Sequence, residues 1–162
     1  MKPAEALELL REFYRDKSAM RQRHAASARF VADYDFNNTY QYVIAREDVQ
    51  VNWLRDAIVE YAGTPEDQPE PALNAQGRRD DAQRRVITED RDAAQAFVDR
   101  WRPRVEAMTN ARNRIMLRVI LGETLEHKRF FDQALAGRTD LLGRRADGAG
   151  TKGDVLSTRW VE

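Results

Sequence analysis

Apolar side chains recur at spacings of three and four residues along four stretches of the chain, which is typical of helices with one buried face. The first stretch runs from about residue 3 to residue 32, and Pro3 suits a first helical turn. Its buried face is predicted to contain Ala6, Leu10, Phe13, Lys17, Met20, His24, Ala28 and Val31. We therefore predict a long first helix.

The second stretch follows the sequence DYDFNN, where we expect Asn37 or Asn38 to cap a new helix. Gly63 is the expected stop of this helix. Its predicted buried face consists of Tyr40, Val43, Glu47, Gln50 or Val51, Leu54, Ile58 and Tyr61. Residues 63–79 contain three prolines that forbid regular helix. This linker of about 17 residues can span roughly 50 Å when extended, which is enough to cross the full length of a bundle.

The third and fourth stretches complete an all-α chain, since no segment alternates with the period of a strand. Pro103 lies inside the third stretch and should kink that helix or mark a restart, and Asn110 should separate the two helices. The third face is predicted to contain Val86, Asp90, Ala93, Phe97, Trp101, Val105 and Met108. The fourth is predicted to contain Met116, Ile120, Glu123, His127, Phe130 and Ala134, and to end at Gly137.

The domain organisation follows from these stretches. Residues 1–137 are predicted to form a four-helix bundle in which the linker, about residues 63–79, joins two helical hairpins. Residues 138–162 form a tail with four glycines between positions 143 and 153, and we expect it to be extended or flexible. Its apolar anchors are Leu141, Leu142, Val155, Leu156 and Trp160.

Ionisable side chains interrupt all four predicted buried faces. The first face carries Lys17 and His24, the second Glu47 with Gln50 beside it, the third Asp90, and the fourth Glu123 and His127. Isolated charges are costly to bury, so these groups must be paired, hydrated or bound to a metal. Hairpin geometry puts Lys17 level with Glu47 and is expected to bring Asp90 near Glu123 and His127.

Composition narrows the classes of partner. Lys and Arg number 27, as do Asp and Glu, so the net charge of 0 gives no reason to expect nucleic acid or an anionic membrane. The absence of cysteine excludes disulfides and thiol chemistry. We expect no signal peptide, because the N-terminal sequence MKPAEALELLREF has no uninterrupted apolar run. No stretch approaches the roughly 20 apolar residues that a membrane helix needs. We therefore expect a cytoplasmic protein.

The layout of inward carboxylates resembles the ferritin-like family, in the broad sense that includes rubrerythrins and bacterioferritins. The resemblance covers residues 3–136, and it implies two antiparallel helical hairpins joined by a long crossover. That family places one Glu on each of two helices and Glu-x-x-His on the other two, binding two irons. Here REDVQVNWL supplies Glu47 with Gln50 at the histidine position, and GETLEH supplies Glu123 and His127 at a spacing of four. Asp90 is the candidate carboxylate of the third helix.

Two hypotheses about function follow, and the sequence leaves open whether the protein is an enzyme. In the first, iron or manganese ions lie between the helices, and the resemblance implies oxidase or peroxidase-type redox chemistry. The ligands would be Glu47, Asp90, Glu123, His127 and His24. In the second, a buried network that includes Lys17 and Gln50 replaces the metal, and the bundle is a non-catalytic structural or interaction protein.

Two further expectations concern partners. The resemblance implies a homodimer formed through the exposed faces of the first two helices. The C-terminal tail is expected to wrap the bundle or to dock on a neighbouring subunit or partner.

Overall fold

The computed structural model describes residues 2–73, 78–138 and 141–142. Four α-helices account for most of these residues: α1 (Pro3–Phe30), α2 (Tyr34–Glu60), α3 (Arg79–Glu106) and α4 (Ala111–Leu135). The described ranges contain no strand, so the predicted all-α class is confirmed. Within the same ranges, no helix has the length and apolarity needed to cross a membrane.

The four helices form a bundle in which each helix contacts two others. Helix α1 packs against α2 and α3, and α4 packs against the same two helices. Residues near the start of α1 meet the end of α3, as in the Glu12–Arg104 ion pair, whereas Arg23 farther along α1 reaches Asp90. Helices α1 and α3 are therefore antiparallel neighbours.

Helices α2 and α4 are also antiparallel. Glu60 at the end of α2 pairs with Arg112 at the start of α4, and Arg46 pairs with Glu123 farther along. Because the other neighbouring pairs are also antiparallel, α2 and α3 run in the same direction across a diagonal of the bundle.

The connection between α1 and α2 is shorter than the sequence predicted. Helix α1 ends at Phe30, and Asp33 caps α2 because its side chain accepts a hydrogen bond from the backbone N–H of Phe36 at 2.8 Å. The expected cap, Asn37, has another role. Its side-chain amide donates to the carbonyl oxygens of Ala28 and Val31, at 2.7 and 3.3 Å, and so satisfies the end of α1.

The connection between α3 and α4 is closer to expectation. Asn110 caps α4 by accepting a hydrogen bond from the backbone N–H of Asn113 at 3.0 Å, as predicted. Pro103 lies inside α3, which continues to Glu106 without restarting. The proline removes the N–H that would otherwise bond to the carbonyl of Asp99, but only three helical residues follow it, so little of the helix depends on the geometry beyond it.

The segment after α2 lies along α1. Helix α2 ends at Glu60, and Gly63 lies just after it, with its backbone N–H donating to the carbonyl oxygen of Ile58 at 3.0 Å. Residues 63–73 contain no regular structure. Asp67 accepts a hydrogen bond from the hydroxyl of Tyr14, and Glu70 forms an ion pair with Arg29 at 2.5 Å. These contacts run in the direction that leads from the end of α2 towards the start of α3.

Two apolar clusters fill the bundle interior. The larger cluster surrounds Phe13, Leu54, Trp101 and Leu117. The smaller cluster lies at the end where α1 meets α2, and it includes Val31, Phe36, Tyr40, Phe131 and Leu141. Leu141 is thus a buried anchor of the predicted tail, whereas Leu142 is exposed. Val155, Leu156 and Trp160 lie outside the described residues, so the predicted course of the tail stays a prediction.

Candidate functional site

A buried ion pair lies in the middle of the bundle, between the two apolar clusters. Lys17 and His24 are seven residues apart, which places both side chains on the same face of α1. Glu47 of α2 faces them. The Lys17 ammonium donates to Oε1 of Glu47 at 2.8 Å, and His24 Nδ1 lies 2.8 Å from Oε2. Both oxygens of the carboxylate therefore have a partner, and the predicted pairing of Lys17 with Glu47 is present.

The ammonium of Lys17 has further partners on α1 and α4. It donates to Oγ1 of Thr124 at 3.3 Å and approaches the sulfur of Met20 at 3.6 Å. The Thr124 hydroxyl donates to the carbonyl oxygen of Ile120 at 2.8 Å, which leaves an oxygen lone pair free to accept from Lys17. Lys17 Nζ also lies 5.5 Å from the centre of the Phe97 ring. All four helices thus surround one fully buried ammonium group.

The charges of this cluster are mutually stabilised. Burial raises the pKa of the Glu47 carboxyl, but His24 and Lys17 lower it more, and the net pKa is far below the usual range. Burial lowers the pKa of His24, but the attraction and hydrogen bond of Glu47 raise it more, so the net pKa lies above its ordinary value. The arrangement favours an ionised Glu47 between two cations.

The carboxylate of Asp90 is neutralised separately. Its Oδ1 accepts from Nε of Arg23 at 2.6 Å, and its Oδ2 accepts from the hydroxyl of Tyr40 at 2.5 Å. Burial raises the pKa of Tyr40, and the adjacent Asp90 raises it further, so the phenol stays protonated and can donate this hydrogen bond.

Asp90 does not lie at the level of Glu123. The neighbouring residue Arg91 is 3.8 Å from Asp132, which lies nine residues, about two and a half turns, beyond Glu123 on α4. The expected meeting of Asp90 and Glu123 is therefore wrong. The register of α3 against α4 depends on where the short connection between them begins and ends. Sequence spacing predicts these boundaries only to within a turn or more.

Glu123 lies at the edge of the bundle rather than in its centre. Its side chain is 21% exposed, and its carboxylate accepts from Arg46 at 2.6 Å and from the amide of Gln50. Thr124 is the fully buried residue in this turn. The buried face of α4 is thus rotated by about one residue from the predicted one, because Leu117, Leu121 and Phe131 rather than Met116 and Phe130 define it.

His127 is the buried polar group with the least support. Its side chain is 1% exposed, and its Nδ1 atom has no hydrogen-bond partner among the described residues. Burial lowers the pKa of His127 to about 3 despite the attraction of Glu47, so the imidazole is neutral at ordinary pH. Gln50 Oε1, on the facing helix, is also buried without a partner.

The donor set does not fit a preformed metal centre. The three carboxylates predicted as ligands each have both oxygens engaged by cations, a hydroxyl, an amide or an imidazole, and Lys17 lies where a cation would neutralise Glu47. Within residues 2–73, 78–138 and 141–142, no group of three or more His, Asp or Glu side chains is arranged to hold a metal ion. A metal at Glu47 would first have to displace the ammonium of Lys17 and the imidazole of His24.

Three residues of this network, Arg23, Arg46 and Thr124, were missed by the sequence reasoning. Arg23 and Arg46 were missed because a half-exposed arginine on a charged helix has no distinctive spacing. Thr124 could have been predicted on the buried face of α4 from the apolar spacing, as Tyr40 was on that of α2. The roles of Tyr40 as a donor to Asp90 and of Thr124 as an acceptor from Lys17 depend on contacts between helices.

Comparison of the chain with models of known protein families, with curated proteins and with solved structures finds no match. Membership of the ferritin-like family therefore stays a prediction from the sequence pattern described above.

Proposed function

We propose that this protein is a ferritin-like bundle in which the Lys17–Glu47–His24 network takes the place of the metal, and that it acts as a non-catalytic structural or interaction protein. The observation that carries the proposal is the contact of 2.8 Å between Lys17 Nζ and Glu47 Oε1, two groups with no exposed surface. An ammonium supplies a single positive charge to the carboxylate, but it has no open coordination position and no accessible redox state.

The wider architecture supports the same proposal. Two antiparallel hairpins with inward carboxylates, and a segment after α2 that lies along α1, agree with the long crossover that the family resemblance implies. Buried ion pairs add little net stability, but they can select one register of packed helices over others. Lys17 can select a register in this way, because its ammonium lies against side chains of all four helices, including the ring of Phe97 on α3.

The first experiment is elemental analysis of protein purified without chelator, followed by anaerobic loading with Fe²⁺ or Mn²⁺. We expect far less than one equivalent of metal and no oxidase or peroxidase turnover. The matched variant is the double substitution Glu123→Ala, His127→Ala. Near-stoichiometric iron or manganese in the parent protein that this variant loses would overturn the proposal and support the redox hypothesis.

The second experiment asks whether Lys17 substitutes for a cation. The variant Lys17→Ala leaves space beside Glu47, and we expect small amines such as methylammonium, or divalent cations, to raise its melting temperature. The control variant Lys17→Met fills that space without charge and should not respond. Equal responses of the two variants would show that the space beside Glu47 does not bind cations.

A further inference from the structure

A groove lies on the outer surface of the bundle, between α1, α2 and the segment that follows α2. Its volume is about 610 Å³, which is within the range of ligand-binding pockets. The groove exists because α1 presents small side chains, Ala25 and Ala28, towards α2. Val31 and Ile44 complete an apolar floor, and Glu70 contributes to one wall.

The charged residues at the rim of this groove already have partners. Arg21 forms an ion pair with Asp48 at 2.8 Å, and Arg29 pairs with Glu70. A small anion would have to compete with these carboxylates for the two guanidinium groups. The combination of an apolar floor with paired charges fits a peptide that has apolar side chains between polar ones.

The last described residues lie beside this groove. Leu141 belongs to the same apolar cluster as Ala28 and Val31, which also line the groove. Val155 follows Leu142 by 13 residues, and this connection includes four glycines. A Gly-rich linker of that length has a root-mean-square span of about 20 Å, whereas the α1 segment from Val31 back to Arg21 is only about 15 Å long.

We propose that residues 154–162, DVLSTRWVE, dock in this groove of the same chain. The segment has four apolar residues, Val155, Leu156, Trp160 and Val161, that suit the floor, and the polar residues between them, Ser157, Thr158 and Arg159, suit the paired charges of the rim. Because a short linker holds the segment at an effective concentration in the millimolar range, weak contacts suffice to keep it bound.

The absence of cysteine makes a spin-label experiment direct. A nitroxide is attached at Gln41→Cys on the rim of the groove, and the indole N–H signal of Trp160, assigned with a Trp160→Phe variant, is followed by NMR. We expect loss of this signal and its recovery when the nitroxide is reduced. The control label is placed at Asp99→Cys on α3, where no loss is expected.

Two further measurements decide the occupant. Ala25→Arg fills the groove and should restore the Trp160 signal. The control Ala45→Arg, on the exposed face of α2, should not restore it. Circular dichroism checks that both variants keep their helices. In a mixed sample, one set of chains carries the spin label but no isotope label, and the other carries the isotope label but no spin label. We expect no loss of the Trp160 signal in this sample. Loss only in the mixed sample would assign the groove to a second copy, and an unaffected signal throughout would refute docking.

Discussion

The buried pair Lys17–Glu47 offers a quantitative prediction through a double-mutant cycle. Lys17→Met removes the ammonium while keeping much of its volume, and Glu47→Gln removes the carboxylate charge while keeping an acceptor for His24. Two unit charges separated by 2.8 Å attract each other by about 6 kcal/mol at an effective dielectric constant of about 20. Breaking a buried pair by removing one partner generally costs about 3–5 kcal/mol.

Each single variant is therefore expected to lower the free energy of unfolding by about 3–5 kcal/mol. For a chain of this size, about 3 kcal/mol corresponds to a melting temperature lower by about 6–12 °C. In the double variant, His24 loses the carboxylate that raises its pKa, and burial then favours its neutral form. No unpaired buried charge remains at this site, so the double variant should lose far less stability than the sum of the two single variants. The coupling free energy should be at least about 2 kcal/mol.

The assay is chemical denaturation of all four proteins, monitored by circular dichroism at fixed pH. The control cycle uses Arg21→Met and Asp48→Asn, because Arg21 and Asp48 also join α1 to α2 at 2.8 Å but are partly exposed. Their coupling should be about 0.2–1 kcal/mol. Additive effects in the buried cycle, or equal coupling in both cycles, would refute the view that burial makes Lys17 indispensable to Glu47.

Three other predictions follow from the same site. The lowered pKa of His127 means that the unfolded chain binds this proton more readily, so stability should fall by up to roughly 1.4 kcal/mol per pH unit as pH decreases from 6.5 towards 3. His127→Leu should reduce this acid sensitivity in denaturation measured across that range, and an unchanged slope would contradict the assignment. The raised pKa of His24 affects stability in the opposite direction: its stabilising contribution is present below pH 6.5 and is lost as pH rises through the pKa of the folded state. NMR titration should therefore find a pKa of His24 above its ordinary value, and an ordinary or lower pKa would be inconsistent with the pairing. Tyr40→Phe leaves Oδ2 of Asp90 without its donor and should cost about 1–3 kcal/mol in denaturation, whereas Tyr34→Phe, at an exposed position of α2, should cost much less.

Much of the helical architecture can be predicted from the sequence because helical periodicity is local information. The face of α1 shows this most clearly, since every residue predicted on it is buried, including Lys17 and His24. The cap at Asn110 is likewise confirmed, because capping depends on a side chain and a backbone N–H three residues away. Burial of Glu47 on α2 and of Asp90 on α3 also follows from spacing alone.

Register between helices is a different kind of information. The predicted face of α4 included Glu123, but a rotation by about one residue places Thr124 inside and leaves Glu123 paired with Arg46 at the edge. The polar and apolar residues of this turn are compatible with either rotation. Packing against the other three helices selects one of them, and that selection decides which carboxylates can meet.

The sequence by itself determined that four helices would bury Lys17, His24, Glu47, Asp90 and His127, because apolar spacing specifies which side of each helix faces inward. Only the tertiary structure decided which of these groups became partners. Charge pairing depends on distances of a few ångströms between residues far apart in the chain, and it divides the expected cluster of carboxylates into separate sites. Glu47 pairs with Lys17 and His24, whereas Asp90 pairs with Arg23 and Tyr40.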